Sequence, residues 1–174
     1  LAVGSLEKNM GLRALPTTTL SLEGVELPAE ARLAGAAGAD VQAILDASRV
    51  ALAAVMLGLS RAVLEYCVPY SKDRIAFDEA IAKKQAIAFR LADMHIEVEA
   101  MRQLVWRAAS LLEHGEPATR AAWQARAYAA EKSMWIADNG VQVLGGHGFI
   151  REHGVELRFR HARTLGVAED LVSL

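Results

Sequence analysis

The sequence predicts a mainly α-helical protein: an antiparallel bundle of three long helices plus a shorter C-terminal helix, preceded by two short β-strands. Three observations carry this. Apolar residues recur every three to four positions along two long stretches. A third stretch is rich in alanine, the best helix former. Only residues 1–38 have the alternating, β-branched texture of strands.

In that first segment Thr17-Thr18-Thr19-Leu20-Ser21-Leu22 is rich in strand formers and Val25-Glu26-Leu27 alternates, with Gly24 between them. The pattern predicts two strands joined by a turn, closed by Pro28 and followed by a glycine lead from Gly35 to Gly38. Two strands alone are not a stable sheet, so they are expected to complete a β-domain lying upstream. The expected division is 1–38, the end of a middle β-domain and a linker, and 39–174, a helical-bundle domain.

The first helix is expected from Asp40, with Leu45, Arg49, Leu52, Met56, Leu59 and Val63 on one face. It should stop near Val68, because Pro69 disfavours helical geometry before it. The second is expected from about Asp78 to Glu113, with Ile87, Leu91, Met94, Val98, Met101, Val105, Ala108 and Leu112 on its stripe and Gly115 and Pro117 at its end. The third runs from about Thr119 to Val143, where Gly145-Gly146-His147-Gly148 stops it. A short fourth follows from Val155 to about Thr164. Short connections make neighbouring helices antiparallel.

At 174 residues the chain suits one core. A net charge of -2 gives no electrostatic reason to expect nucleic acid. The lone cysteine, Cys67, rules out an internal disulfide framework and points to a reducing cytoplasm and a packed thiol. Arg49, Arg61 and Glu65 interrupt the longest apolar stretch, so no membrane span is expected. No secretory signal is visible, and a first residue of Leu1 rather than Met fits a piece of a longer polypeptide.

Four places could hold chemistry, and each has a plainer alternative. Arg49 lies on an apolar stripe, where it either faces a ligand or pairs with Asp46 one turn behind. Ser71-Lys72-Asp73-Arg74-Ile75-Ala76-Phe77 is a basic-aromatic turn between helices, suited to a phosphate or simply solvated. Gln142-Val143-Leu144-Gly145-Gly146-His147-Gly148 ends a helix, yet a helix cap needs one glycine and this run has three. His147 reads as an exposed loop residue, with no second histidine at metal-binding spacing. Glu169 is either a base beside apolar neighbours or an exposed C-terminal carboxylate.

In this order and spacing the four places resemble the acyl-CoA dehydrogenase family, from about Asn9 to Glu169. Met10-Gly11-Leu12-Arg13, Thr19-Leu20-Ser21-Leu22-Glu23-Gly24-Val25 and Pro28-Ala29-Glu30 look like the end of its middle β-domain. Leu45-Asp46-Ala47-Ser48-Arg49 resembles the opening of its C-terminal helical domain, a stretch that in the family lies along the acyl thioester. The resemblance thus implies substrate-binding roles for Asp46 and Arg49. Arg74, Phe77 and Gln85 match its R-x-x-F-(x)7-Q pattern, which contacts FAD across a subunit boundary. Gln142, Gly145 and Gly146 match its Q-x-x-G-G segment, which lies against the adenosine end of that cofactor. Glu169 falls at the position of the catalytic base, after Arg160-His161-Ala162-Arg163. Other members carry the base just before the arginine that here is Arg49, where this chain has Ser48.

The resemblance implies α,β-dehydrogenation of an acyl-CoA, with Glu169 removing the α-proton and the β-hydrogen leaving as hydride to flavin N5. It further implies reoxidation by an electron-transferring flavoprotein and a homotetramer built as a dimer of dimers. The chain departs from the family at Ala168-Glu169-Asp170-Leu171, where Tyr-Glu-Gly-Thr is usual, and at Asp78 and His161, where glycine and aspartate are usual. A second expectation is therefore a non-catalytic subunit that keeps the fold and completes a partner's flavin site. A plain helical interaction module that holds no flavin is the third.

Overall fold

Asp40 starts the first long helix: its carboxylate accepts a hydrogen bond from the Ala43 amide at 3.0 Å, an N-cap contributing about 1 kcal/mol. The computed structural model describes residues 1–168, and Glu169, Asp170 and Leu171 lie outside them. The helix, α1 (Val41–Asp73), continues through Pro69 rather than stopping near Val68. A proline inside a helix removes one amide donor and crowds the carbonyl four residues back. Here Glu65 and Pro69 both lie on an exposed face, where water can take up the orphaned carbonyl. On the opposite face Cys67 and Ser71 are buried, and the Ser71 hydroxyl donates to the Val68 carbonyl at 2.8 Å. Packing therefore carries the helix past its proline.

The buried line of α1 runs Asp46, Val50, Ala53, Met56, Ser60, Val63, Cys67 and Ser71. It shares Met56 and Val63 with the expected stripe, while Leu45, Arg49, Leu52 and Leu59 fall at its half-buried edge. The rotation follows from α1 having neighbours on several sides, since it packs against all three of the later helices. By length and composition α1 is apolar enough to cross a membrane, with a mean hydropathy of 1.6 over its most apolar window. This corrects the expectation that Arg49, Arg61 and Glu65 would prevent it. Within the bundle part of this apolar surface is core, with Ala53, Met56, Val63 and Cys67 fully buried.

A tight hairpin, not a helix start, follows α1. Strands β3 (Ile75–Ala76) and β4 (Glu79–Ala80) pair antiparallel, Ile75 opposite Ala80 and Ala76 opposite Glu79. Phe77 and Asp78 both take left-handed backbone conformations, φ 56° and 64°, as a two-residue hairpin turn of this hand requires. Lys84 binds Glu79 at 2.5 Å and lies 5.8 Å from the centre of the Phe77 ring. A single 3-10 turn (Ile81–Lys83) then leads into α2 (Gln85–Glu113), seven residues later than expected. Along α2, Met94, Val98, Met101, Val105 and Ala108 are buried, in agreement with the stripe.

Helix α3 (Thr119–Leu144) runs parallel to α1: Asp46 meets Thr119 near one end, and Cys67 meets the Gly140 carbonyl near the other. A Cβ on Gly140 would lie 2.4 Å from the Val63 side chain, so the small residue sets how closely the helices approach. Helix α4 (Val155–Val167) returns antiparallel to α3, with Val155 near Gly140 and its last turn near Arg126. The result is the expected bundle of three long helices and one short one.

The N-terminal strands differ from expectation in pairing. Strand β2 (Leu20–Ser21) pairs antiparallel with β1 (Ala2–Val3), not with residues 25–27. Bonds from Gly4 N to Thr19 O and from Glu7 N to Thr17 O extend the pairing backwards. Gly24, at φ 58°, turns the following chain away from it. This segment meets the bundle at Gly11, where a Cβ would lie 2.4 Å from the Arg160 carbonyl; Arg160 also donates to the Met10 carbonyl at 2.8 Å.

Burial pushes the Cys67 thiol up to about 12, with Arg158 opposing only in part. The thiolate is the reactive form. Native protein at pH 8 is therefore expected not to react with a chromogenic disulfide such as Ellman's reagent, whereas denaturant should release one thiol equivalent. Full reaction without denaturant would refute this packing.

Candidate functional site

The positions singled out in the sequence fall into two groups at opposite ends of α1. Arg74 closes α1, and Phe77 stands at the tip of the hairpin with 88% of its surface exposed. A bulky residue in left-handed geometry costs energy, so the turn holds this ring outward against a backbone preference. Gln85 opens α2 and is exposed. At the end of α3, Gln142, Gly145 and Gly146 are exposed as well. Gly145 takes the left-handed φ of 58°, which ends the helix. Gly146 has nothing within 4 Å of where a Cβ would be, so its backbone is open to an approaching molecule.

These two sets share one end of the bundle because α1 and α3 are parallel, and Tyr70 joins them. Its hydroxyl lies 2.8 Å from His147 Nδ1 and 3.4 Å from the Leu144 carbonyl. His147 stacks on His153, ring centres 5.3 Å apart and planes 14° apart. The Tyr66 hydroxyl lies 2.6 Å from His153 Nδ1. His147 is accordingly half-buried and held, not a free loop residue. Tyr66, Tyr70 and His153 belong to none of the four places marked in the sequence. The one available signal was the i, i+4 spacing of the two tyrosines on α1.

At the other end, Asp46 is buried at 4% exposure. It accepts from Gln42 Nε2 at 2.8 Å and from the Thr119 hydroxyl at 2.5 Å, and lies 3.5 Å from Arg49. The plainer alternative for Arg49, an ion pair with Asp46, is thus present. The Thr119 contact also ties the start of α1 to the start of α3. About six helical turns, roughly 30 Å, separate Arg49 from Tyr70 along α1. The last turn of α4 comes back toward the Arg49 end. There the Arg126 guanidinium, itself buried, donates to the Leu165 and Gly166 carbonyls at 3.1 and 3.2 Å. Glu169, three residues further on, lies outside the described residues. His161 is half-buried on α4; burial, with Arg160 beside it, holds its imidazole below the ordinary value. Among the described residues no cluster of histidine, cysteine and carboxylates could hold a metal ion.

A bundle of this topology, with an open glycine run at one end and an acid–arginine pair at the other, matches a known class. Residues 38–169 match the model of the acyl-CoA dehydrogenase C-terminal domain, and the chain belongs to the acyl-CoA dehydrogenase family. It is 35% identical over 171 residues to the short-chain specific mitochondrial acyl-CoA dehydrogenase of Bos taurus, covering 97% of this chain and 42% of that protein. It is equally, 35%, identical to the subunit CarC of a caffeyl-CoA reductase–Etf complex from Acetobacterium woodii, covering 97% of this chain and 45% of that one. The structure of butyryl-CoA dehydrogenase from Megasphaera elsdenii superposes with a TM-score of 0.88 at 35% identity, over 97% of this chain and 44% of that chain. The chain thus spans less than half the length of these relatives.

Proposed function

We propose that this chain is the C-terminal region of an FAD-dependent acyl-CoA dehydrogenase, an oxidoreductase that introduces a double bond between Cα and Cβ of an acyl-CoA thioester. The carrying observation is the gathering of Arg74, Phe77, Gln142, Gly145 and Gly146 at one end of the bundle, joined through Tyr70 and His147. A guanidinium, an outward aromatic ring, carboxamides and unobstructed glycine backbone suit an extended, phosphate-bearing, aromatic ligand. These residues and Gln85 would hold FAD. Bound there, FAD supplies the acceptor for the hydrogen leaving Cβ as hydride.

The chain's own residues supply the rest. Asp46 and Arg49 would line the thioester end, with Arg49 orienting the substrate and Asp46 fixing Arg49. Glu169 would take the α-proton. The long separation between this end and the FAD-holding end supports a cofactor shared across a subunit boundary, and hence a homotetramer arranged as a dimer of dimers. Residues 1–38 would complete a middle β-domain supplied by the remainder of the polypeptide. An electron-transferring flavoprotein would accept the electrons, as the Etf complex of the A. woodii relative suggests by analogy. The lone thiol supports a cytoplasmic location.

Full-length protein is expected to be yellow, with a flavin absorption spectrum that bleaches on adding an acyl-CoA. Colourless protein that acquires no flavin on reconstitution with FAD would sink the proposal. A second reading, a non-catalytic subunit completing a partner's flavin site, is favoured by one feature: Asp170 puts a second charge beside Glu169 where the family carries glycine. Activity arising only when a second chain is added would establish that reading instead.

A further inference from the structure

We propose that Tyr70 is a positioning residue for the glycine run: through His147 it fixes the conformation in which Gly145–Gly148 receives its ligand. The inference rests on the reading that this run lines an FAD site. Gly145 and Gly146 have no packing neighbours of their own where a side chain would be. Bare backbone of this kind samples many conformations unless something outside it holds it. The hold here is His147. It bonds to Tyr70 at 2.8 Å on one side and stacks on His153 at 5.3 Å on the other. His153 is in turn bonded to Tyr66, and Tyr70 meets both imidazoles edge-on, at 6.1 and 5.7 Å between ring centres. Four rings from α1, from the run and from the segment before α4 thus close into one cluster.

Tyr70 also stands in the last turn of α1, next to the hairpin. It lies one helical turn before Arg74, and the Arg74 amide donates to its carbonyl at 2.9 Å. The side-chain bond to His147 therefore anchors the glycine run to the turn of α1 that leads into the arginine–phenylalanine hairpin. Without its hydroxyl the run would occupy the receptive conformation for only part of the time. Apparent affinity falls in proportion to that fraction.

The test uses full-length apoprotein titrated with FAD, followed by flavin fluorescence, with the thermal midpoint of each apoprotein measured in parallel. Tyr70→Phe is expected to weaken FAD binding roughly five-fold, the scale of one neutral hydrogen bond, and His147→Ala, which also removes the stack on His153, at least as much. The double variant should be no weaker than His147→Ala alone, because that substitution already removes the Tyr70–His147 link. His147→Asn, whose amide can still bond the Tyr70 hydroxyl, should recover most of the affinity. Wild-type affinity in Tyr70→Phe, even with a lowered thermal midpoint, would make the contact purely structural and overturn the inference. Failure of wild-type protein to bind FAD would overturn the reading of the site together with it.

Discussion

Replacing Glu169 by Gln in the full-length protein is expected to slow acyl-CoA bleaching roughly a thousandfold, within the range for loss of a general base, while FAD stays bound. The amide keeps the size of the carboxylate and removes only its capacity to take the α-proton. FAD retention is expected because Arg74, Phe77, Gln142, Gly145 and Gly146, the residues assigned to FAD, gather at the end of the bundle away from Arg49, and the substitution changes none of them. Stopped-flow absorbance at the flavin band measures both quantities in one sample. Normal bleaching by the variant would remove Glu169 from the mechanism, and with Ser48 at the alternative position no second carboxylate would replace it. Bleaching absent from the wild type as well, with flavin present, would favour the non-catalytic subunit. The approach to Glu169 is itself well fastened. Arg126 is a buried guanidinium on the carbonyls of Leu165 and Gly166, where a cation also opposes the negative end of the α4 dipole.

Much of this was legible in the sequence, for identifiable reasons. The α2 stripe is legible because Met94, Val98, Met101, Val105 and Ala108 recur at unbroken steps of three and four, so periodicity alone marks the core side. In α1 the buried line is harder to place, since Ala53 and Ser60 carry little hydrophobic signal yet are fully buried. Pro69 misled for a similar reason. Local preference argued for a helix end, and the burial of Cys67 and Ser71 outweighed it. The hairpin at Phe77-Asp78 was hidden because neither residue is the glycine or asparagine that normally announces such a turn. The pairing of Ala2–Val3 with Leu20–Ser21 joins segments separated by a long loop, which no alternation pattern encodes. At the candidate site the motif residues were visible one by one. Their grouping was not, because it depends on α1 and α3 being parallel and on the Tyr70–His147 contact.

The three glycines of the run are expected to respond differently to the same substitution, which separates a binding role from a folding role. A Cβ at Gly148 would lie 2.4 Å from the Val141 carbonyl oxygen and 2.9 Å from Val141 Cα. Backbone inside α3 cannot move aside as a side-chain tip can, so Gly148→Ala should cost about 2 kcal/mol as an overpacking change. In a scanning melt this reads as a midpoint lower by roughly 5 °C. Gly146 meets nothing within 4 Å and is not left-handed, so Gly146→Ala should leave stability within about 0.5 kcal/mol of wild type. Its methyl group would project into the space assigned to the ligand. Gly146→Ala is therefore expected to weaken FAD binding at unchanged thermal midpoint, while Gly148→Ala lowers the midpoint of the apoprotein. Gly145 falls between them: its φ of 58° makes alanine strained even though the space is open. A Gly146→Ala variant that binds FAD as tightly as wild type would mean the run is only an elaborate helix stop, and would return the site to the plainer of its two readings.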